Sequence, residues 1–188
     1  MPRTAAASSK QGSPLAGCAR PRIRLSAVRR LIQRVPEVDL ILWRHADAED
    51  GIHDAERKLT AKGVKQAARM AKWLRARIPD SAIVLVSPAK RAQQTAQALT
   101  SDFKTVAELG LAASAEGVLR AAGWPGREGC VVVVVGHQPT LGETAALALT
   151  GKKEPWNVKK GAVLWFVRRD DEEPARTQLR AAISPDLL

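Results

Sequence analysis

From Val38 onward the chain alternates between two hydrophobic patterns. Val38–Trp43 (VDLILW) is an apolar run broken only by Asp39, the pattern of a strand buried on both faces. Ile83–Val86 predicts a second strand. Cys130–Val135 (CVVVVV) predicts a central one, because β-branched side chains pack well on a pleated sheet. Between the first two runs, Val64, Ala67, Ala71, Leu74 and Ile78 recur every three or four residues. They predict a helix capped by Thr60, running to about Arg77 and ended by Pro79. Ser87 as N-cap with Pro88 in the first helical position predicts the next helix. Ser114–Ala122 reads as a third, and Pro139 opens a fourth that ends near Gly151. Lys104–Ala107 reads as a short strand. Ala162–Val167 and Gln178–Ile183 read as closing strands around an acidic turn, Asp170–Glu173. No internal repeat is present.

Strands alternating with helices imply an α/β protein, a three-layer α/β/α sandwich with a mostly parallel central sheet. Right-handed crossovers put helices on both faces. In such sheets ligands bind beyond the carboxyl ends of the strands.

Composition narrows the picture in two ways. The net charge is +11, but residues 1–36 hold eight Lys and Arg and no acid, while the other 152 residues hold 22 basic and 19 acidic side chains. The folded part is therefore nearly balanced, and charge gives no reason to expect nucleic-acid binding. Residues 1–36 read as a disordered basic N-terminal extension, and 37–188 as the folded domain. Within the extension, residues 25–35 could form a short basic amphipathic helix. The Arg-rich, acid-free composition also resembles a transit peptide, but a poorly conserved extension or an upstream start codon is the favoured explanation. Cys18 and Cys130 are far apart in unlike contexts, which gives neither a disulfide framework nor a metal-ligand spacing and suits a reducing, cytoplasmic setting. No apolar run is long enough for a membrane span.

The strand ends carry the chemistry. The first strand runs out into Arg44-His45-Ala46, the second into Ser87-Pro88-Ala89-Lys90-Arg91, and the valine strand into Gly136-His137-Gln138-Pro139. Parallel strands would bring both histidines and both arginines to one sheet edge, a cationic pocket with no clustered carboxylates. Guanidinium forks match a phosphoryl group, and their hydrogen bonds strengthen as charge builds on its oxygens. A neutral imidazole can attack phosphorus and form a covalent phosphohistidine. Taken singly, each motif has a plainer reading: a salt-bridged loop pair, a helix cap, a turn histidine bonded to a buried carbonyl. Their ordered occurrence at three strand ends favours the chemical one. His53, in the loop Asp50–Glu56, reads as solvated.

This ordered set resembles the histidine phosphatase, or phosphoglycerate mutase-like, superfamily. The matching pieces are Leu42-Trp43-Arg44-His45-Ala46, Arg57-x-Leu59-Thr60-x-x-Gly63, Ser87-Pro88-x-x-Arg91-Ala92-x-x-Thr95-Ala96 and Gly136-His137-x-Pro139. The resemblance covers about residues 38–184. The short chain and the Arg-His-Ala-Asp-Ala-Glu stretch are most similar to the SixA-type phosphohistidine phosphatases. The resemblance implies that His45 is the nucleophile and that Arg44, Arg91 and His137 hold the phosphoryl group. It assigns Arg57 as a further phosphate ligand, although Arg-Lys-Leu-Thr stands here where Arg-Pro-Leu-Thr is usual. It implies no cofactor and no metal. The arginines are expected to keep the His45 pKa below its free value near 6.5.

The proton donor is the gap. Glu108, after the third strand, is the best-placed candidate, and Asp47 and Glu49 lie near the nucleophile in sequence. A site without a strong acid suits a phosphorylated imidazole, which leaves as neutral imidazole, better than an alkyl ester. The expected substrate is phosphohistidine on a protein, such as a histidine-containing phosphotransfer domain. The alternatives are a small-molecule or broad-specificity phosphomonoesterase, and a phosphate-binding adaptor without turnover. Oligomeric state is not legible.

Overall fold

The structure, a computed structural model, describes residues 37–126, 129–169 and 176–188. The basic extension, its amphipathic segment 25–35 and the acidic turn Asp170–Glu173 lie outside the described residues.

Six strands form one sheet: β1 (Glu37–Arg44), β2 (Ile83–Val86), β3 (Lys104–Thr105), β4 (Val131–Gly136), β5 (Val163–Arg169) and β6 (Arg176–Ile183). Their spatial order is β3-β2-β4-β1-β5-β6. The β3–β2, β2–β4 and β4–β1 pairs are parallel, while β1–β5 and β5–β6 are antiparallel. The parallel part is the part that carries the motifs. The valine run is central, as its composition demands, with β2 on one side and β1 on the other.

Among the described residues four α-helices cover the sheet: α1 (Ala61–Arg75), α2 (Lys90–Gln97), α3 (Ala115–Ala122) and α4 (Thr140–Thr150). Alternate residues of each strand divide the core in two. Ile41, Trp43, Val84, Val86, Val133 and Val135 pack with Met70, Ala71 and Leu74 of α1 and with Ala92 and Ala96 of α2. Leu40, Leu42, Leu85, Val132 and Val134 pack with Val118 and Ala122 of α3 and with Leu141 and Ala145 of α4. A two-residue period with both faces apolar therefore produces the expected α/β/α sandwich. No helix among the described residues is long and apolar enough to cross a membrane.

Several local expectations shift. α1 ends at Arg75, and Val64, placed on its apolar face by spacing, is 56% exposed, while Met70 is fully buried. The Lys104–Ala107 strand shortens to two residues, because Ala107 begins a 3-10 turn. The Ser87-Pro88 helix starts later, at Lys90, with Ala89 at its N-cap and no side-chain cap. Ser87 is engaged elsewhere. Thr60 does cap α1, accepting a bond from Gly63 N at 2.9 Å.

Candidate functional site

Strand register assembles the site. Arg44 of β1 pairs with Gly136 of β4, so the next residues, His45 and His137, leave the sheet side by side. His45 N donates to Gly136 O at 3.0 Å, and the two imidazole centroids are 5.1 Å apart. On the other side of β4, Val86 pairs with Val135, and Ser87 N donates to Val135 O at 3.0 Å. One turn later, α2 presents Arg91 from its first residues. Arg44, His45, Arg91 and His137 thus meet at the carboxyl edge of the parallel strands. His45, Arg91 and His137 are buried, and Arg44 is partly so.

The hydrogen bonds define how His45 is presented. Its Nδ1 lies 2.8 Å from Ala46 O, a carbonyl that can only accept, so Nδ1 carries the proton. Nε2 then holds the lone pair, and Arg91 Nε donates to it at 3.2 Å. Burial holds the His45 pKa down, to about 3; the Ala46 carbonyl opposes this, while His137, Arg91 and Arg44 add to it. Burial likewise lowers His137 to about 4, with Arg91 and Arg44 contributing and Asp54 opposing. Both rings are neutral at neutral pH. The expected direction for His45 holds, but desolvation leads and the arginines are secondary.

Among the described residues, two buried nitrogens of the site meet no protein partner. Arg44 Nη1 donates to Val158 O at 2.6 Å, yet its Nε is unpartnered. His137 Nε2 meets Ser87 Oγ at 2.7 Å, and its Nδ1 is unpartnered. Buried polar atoms rarely stay unpaired without a ligand or water to satisfy them.

The pocket expected to hold no clustered carboxylates has one carboxylate against it, that of Asp54. This residue lies in the 3-10 turn Asp54–Glu56, in a loop the sequence marked only as solvated. Its Oδ2 accepts from Arg91 Nη2 at 2.8 Å, and its main-chain oxygen takes Arg91 Nη1. Its Oδ1 accepts from Arg57 Nη1 at 2.8 Å. Arg57 and Arg91 hold the Asp54 carboxyl below the usual carboxylate range. Asp54 joined no motif, and nothing local in the sequence links it to an arginine 37 positions away.

The other candidates separate. Arg57 is tied to the site only through Asp54, and its Nε donates to Glu49 O at 2.5 Å. Glu108 is exposed on the turn after β3 and bonds to none of the four groups. Asp47 binds Lys160 Nζ at 2.6 Å and accepts from Thr60 Oγ1 at 2.9 Å, and these contacts lower its pKa. It braces the nucleophile loop against α1. Gly63 is required there, since a Cβ would come within 1.9 Å of Asp47 O. Glu49 contributes its carbonyl to Arg57, and His53 is exposed as expected. Thr95, quoted in a motif without a role, donates to Arg91 O at 2.7 Å and accepts from Ala46 N at 3.1 Å. It pins the nucleophile loop to α2. Among the described residues no group of three or more His, Cys, Asp or Glu side chains is placed to hold a metal ion.

Known proteins resemble the chain in sequence and in fold. Residues 40–112 match the family described as histidine phosphatase superfamily (branch 1). An uncharacterized protein of Picosynechococcus sp. is 32% identical over 139 residues, covering 68% of this chain and 83% of that protein. An uncharacterized protein of Mycobacterium tuberculosis is 37% identical over 109 residues, covering 56% of this chain and 67% of that one. The solved structure of the protein histidine phosphatase SixA complexed with tungstate superposes with a TM-score of 0.68 at 25% identity, covering 79% of this chain and 98% of that one. A phosphoserine phosphatase mutant from Entamoeba histolytica shares the fold, with a TM-score of 0.59 at 17% identity over 80% of this chain and 99% of that one.

Proposed function

Because the chain belongs to the histidine phosphatase superfamily, we propose that it hydrolyses phosphohistidine on a protein, without a metal, through a covalent phosphohistidine on His45. The observation that carries this reading is the fixed tautomer of His45, which leaves the lone pair on Nε2, on the side of Arg91.

In the first step the Arg91 Nε–H bond moves from His45 Nε2 to a phosphoryl oxygen, the freed Nε2 lone pair attacks phosphorus, and the substrate P–N bond breaks. The electron pair stays on the leaving imidazole, whose other nitrogen already carries a proton, so it departs neutral. His45 now bears the phosphoryl group on Nε2 and its proton on Nδ1. The Ala46 carbonyl stabilises the positive charge this places on the ring. Arg44, Arg91 and His137 bind the transferring oxygens, where charge grows in the transition state. In the second step water attacks phosphorus, the P–N bond to His45 breaks, and the water proton leaves with phosphate or solvent. His45 returns neutral.

Substrate choice follows from the acids. Asp54 is ion-paired to Arg57 and Arg91, Asp47 is engaged by Lys160 and Thr60, and Glu108 is exposed on its turn. The partners of Asp54 and Asp47 lower both pKa values, so neither is held as a protonated acid. An alkoxide departs badly without a proton, whereas imidazole needs none from the enzyme. A protein-borne phosphohistidine, as in a histidine-containing phosphotransfer domain, fits best. The test compares kcat/KM for a phosphorylated transfer domain with that for phosphoserine, each with and without EDTA. Phosphohistidine should be preferred and EDTA should have no effect. Equal use of phosphoserine would favour the phosphomonoesterase reading and make Glu108 the first acid to mutate. Loss of activity in EDTA, restored by magnesium, would overturn the mechanism. No turnover of p-nitrophenyl phosphate or any phosphorylated substrate would leave the adaptor.

A further inference from the structure

Ser87 has the sequence signature of a helix cap, and the structure gives it another task. It follows β2 directly and is fully buried, with its Oγ 2.7 Å from His137 Nε2. We propose that Ser87 is a positioning residue that donates its hydroxyl proton to His137 Nε2 and thereby fixes the Nδ1–H tautomer, so that His137 meets the phosphoryl group as a hydrogen-bond donor.

The direction of the bond follows from what each atom can do. Ala89 N donates to Ser87 Oγ at 3.3 Å, so one lone pair of that oxygen is already engaged. The hydroxyl hydrogen remains, and among the described residues its partner is His137 Nε2. A neutral imidazole has one N–H, and this ring is held neutral. If Nε2 accepts from Ser87, the proton must sit on Nδ1. That nitrogen is buried, has no protein partner among the described residues, and belongs to a ring centred 5.1 Å from the His45 ring. A buried N–H without a partner is a cost that an incoming oxyanion removes. The opposite tautomer would present a bare lone pair to the anion and leave the Ser87 hydrogen without an acceptor. Second-sphere hydrogen bonds commonly set histidine tautomers in this way.

The proposal rests on the phosphatase reading only for the identity of the anion. It is tested on the full chain by 15N spectra of histidine-labelled protein and by titration with orthophosphate. In the wild type, His137 should be protonated on Nδ1. Ser87→Ala should lose that tautomer preference, bind orthophosphate about tenfold more weakly, and lose at least as much in kcat as in 1/KM. Ser87→Cys, close in size but a weak donor, should fall between. A wild-type ring protonated on Nε2 overturns the proposal whether or not any variant folds. So does a folded Ser87→Ala protein with unchanged tautomer and unchanged phosphate affinity. A phosphoserine preference would sink the phosphohistidine reading while leaving both of these measurements intact.

Discussion

The two ends of β1 both bury polar groups, and they treat them in opposite ways. At the amino end the carboxylate of Asp39, the one polar residue in the VDLILW run, is buried, and burial raises its pKa. Its Oδ1 accepts from Trp165 Nε1 at 2.5 Å and from Arg180 Nη1 at 2.9 Å, and Arg180 also pairs with Glu37. At the carboxyl end, Arg44 Nε and His137 Nδ1 have no protein partner, and Asp54, which engages Arg91, sits on a loop with its side chain 45% exposed. At the amino end the buried carboxylate has protein donors. At the carboxyl end, among the described residues, two buried nitrogens have none. A polar cluster that satisfies itself stabilises the fold, whereas one left open by the fold is available for chemistry.

The sharpest break between the two ends is expected at His45. His45→Ala should abolish turnover with little change in melting temperature, because no neighbour can form the covalent bond. Brief reaction with labelled substrate should leave acid-labile, base-stable phosphate on His45 in the wild type. Substantial turnover by the variant would end the nucleophile assignment.

Next come Arg44, Arg91 and His137. Each Ala variant should lose roughly 30- to 1000-fold in kcat/KM, since a lost transition-state contact costs on the order of 2–4 kcal/mol. Near-wild-type kinetics would remove that residue from the site.

Asp39→Ala tests the other end. Leaving the Trp165 and Arg180 donors without their acceptor should cost about 1–3 kcal/mol in urea unfolding. The site is remote, so kcat/KM should stay within about twofold. A large catalytic loss in a stable Asp39→Ala protein would break the contrast.

A smaller effect is expected from Asp54→Asn. Asp54 occupies both terminal nitrogens of Arg91, so a phosphoryl group must displace it. A half-exposed ion pair contributes little, so the neutral variant should bind orthophosphate only about two- to fivefold more tightly by calorimetry. Weaker binding would make Asp54 a partner of the anion rather than its competitor. Arg57→Ala should change kcat/KM less than any of the three site groups, because Arg57 reaches them only through Asp54.

The smallest effect is expected from pH in the physiological range. With folded values of about 3 for His45 and about 4 for His137, neither ring titrates near neutrality. Any acid limb they cause in kcat/KM should lie below about pH 5, once substrate titration is allowed for. Stability should behave accordingly. Between the unfolded value near 6.5 and these lowered values, the unfolded chain binds more protons. These two groups therefore weaken the fold as pH falls through that window, and add nothing further below about pH 3. A histidine limb near pH 6.5 in the pH–rate profile would show a more hydrated site.

Legibility in the sequence follows the range of the interaction. The strands, three of the four helix starts, and the positions of Arg44, His45, Arg91 and His137 at strand or helix ends could be read from local pattern. Thr60 capped its helix because a cap involves residues three apart. Ser87 did not, because the helix begins two residues beyond the expected place, at Lys90, and parallel register sets its hydroxyl against a buried imidazole while its oxygen keeps only a local bond from Ala89 N. Asp54 was invisible for the same reason. Its partner is set by the path of a loop across the sheet edge, which no short-range rule encodes.

What the sequence determined by itself was the alternation of doubly buried strands with amphipathic helices, and through it the edge where the histidines and arginines gather. Those features depend on periodicity and side-chain type, which are properties of the chain. Only the tertiary structure decided the protonation of His45, the neutrality of both imidazoles, the Asp54 contact with Arg91 and the unpartnered donors. Those depend on which atoms lie within about 3 Å of one another and on how much water is excluded around them, quantities that exist only once distant segments have packed.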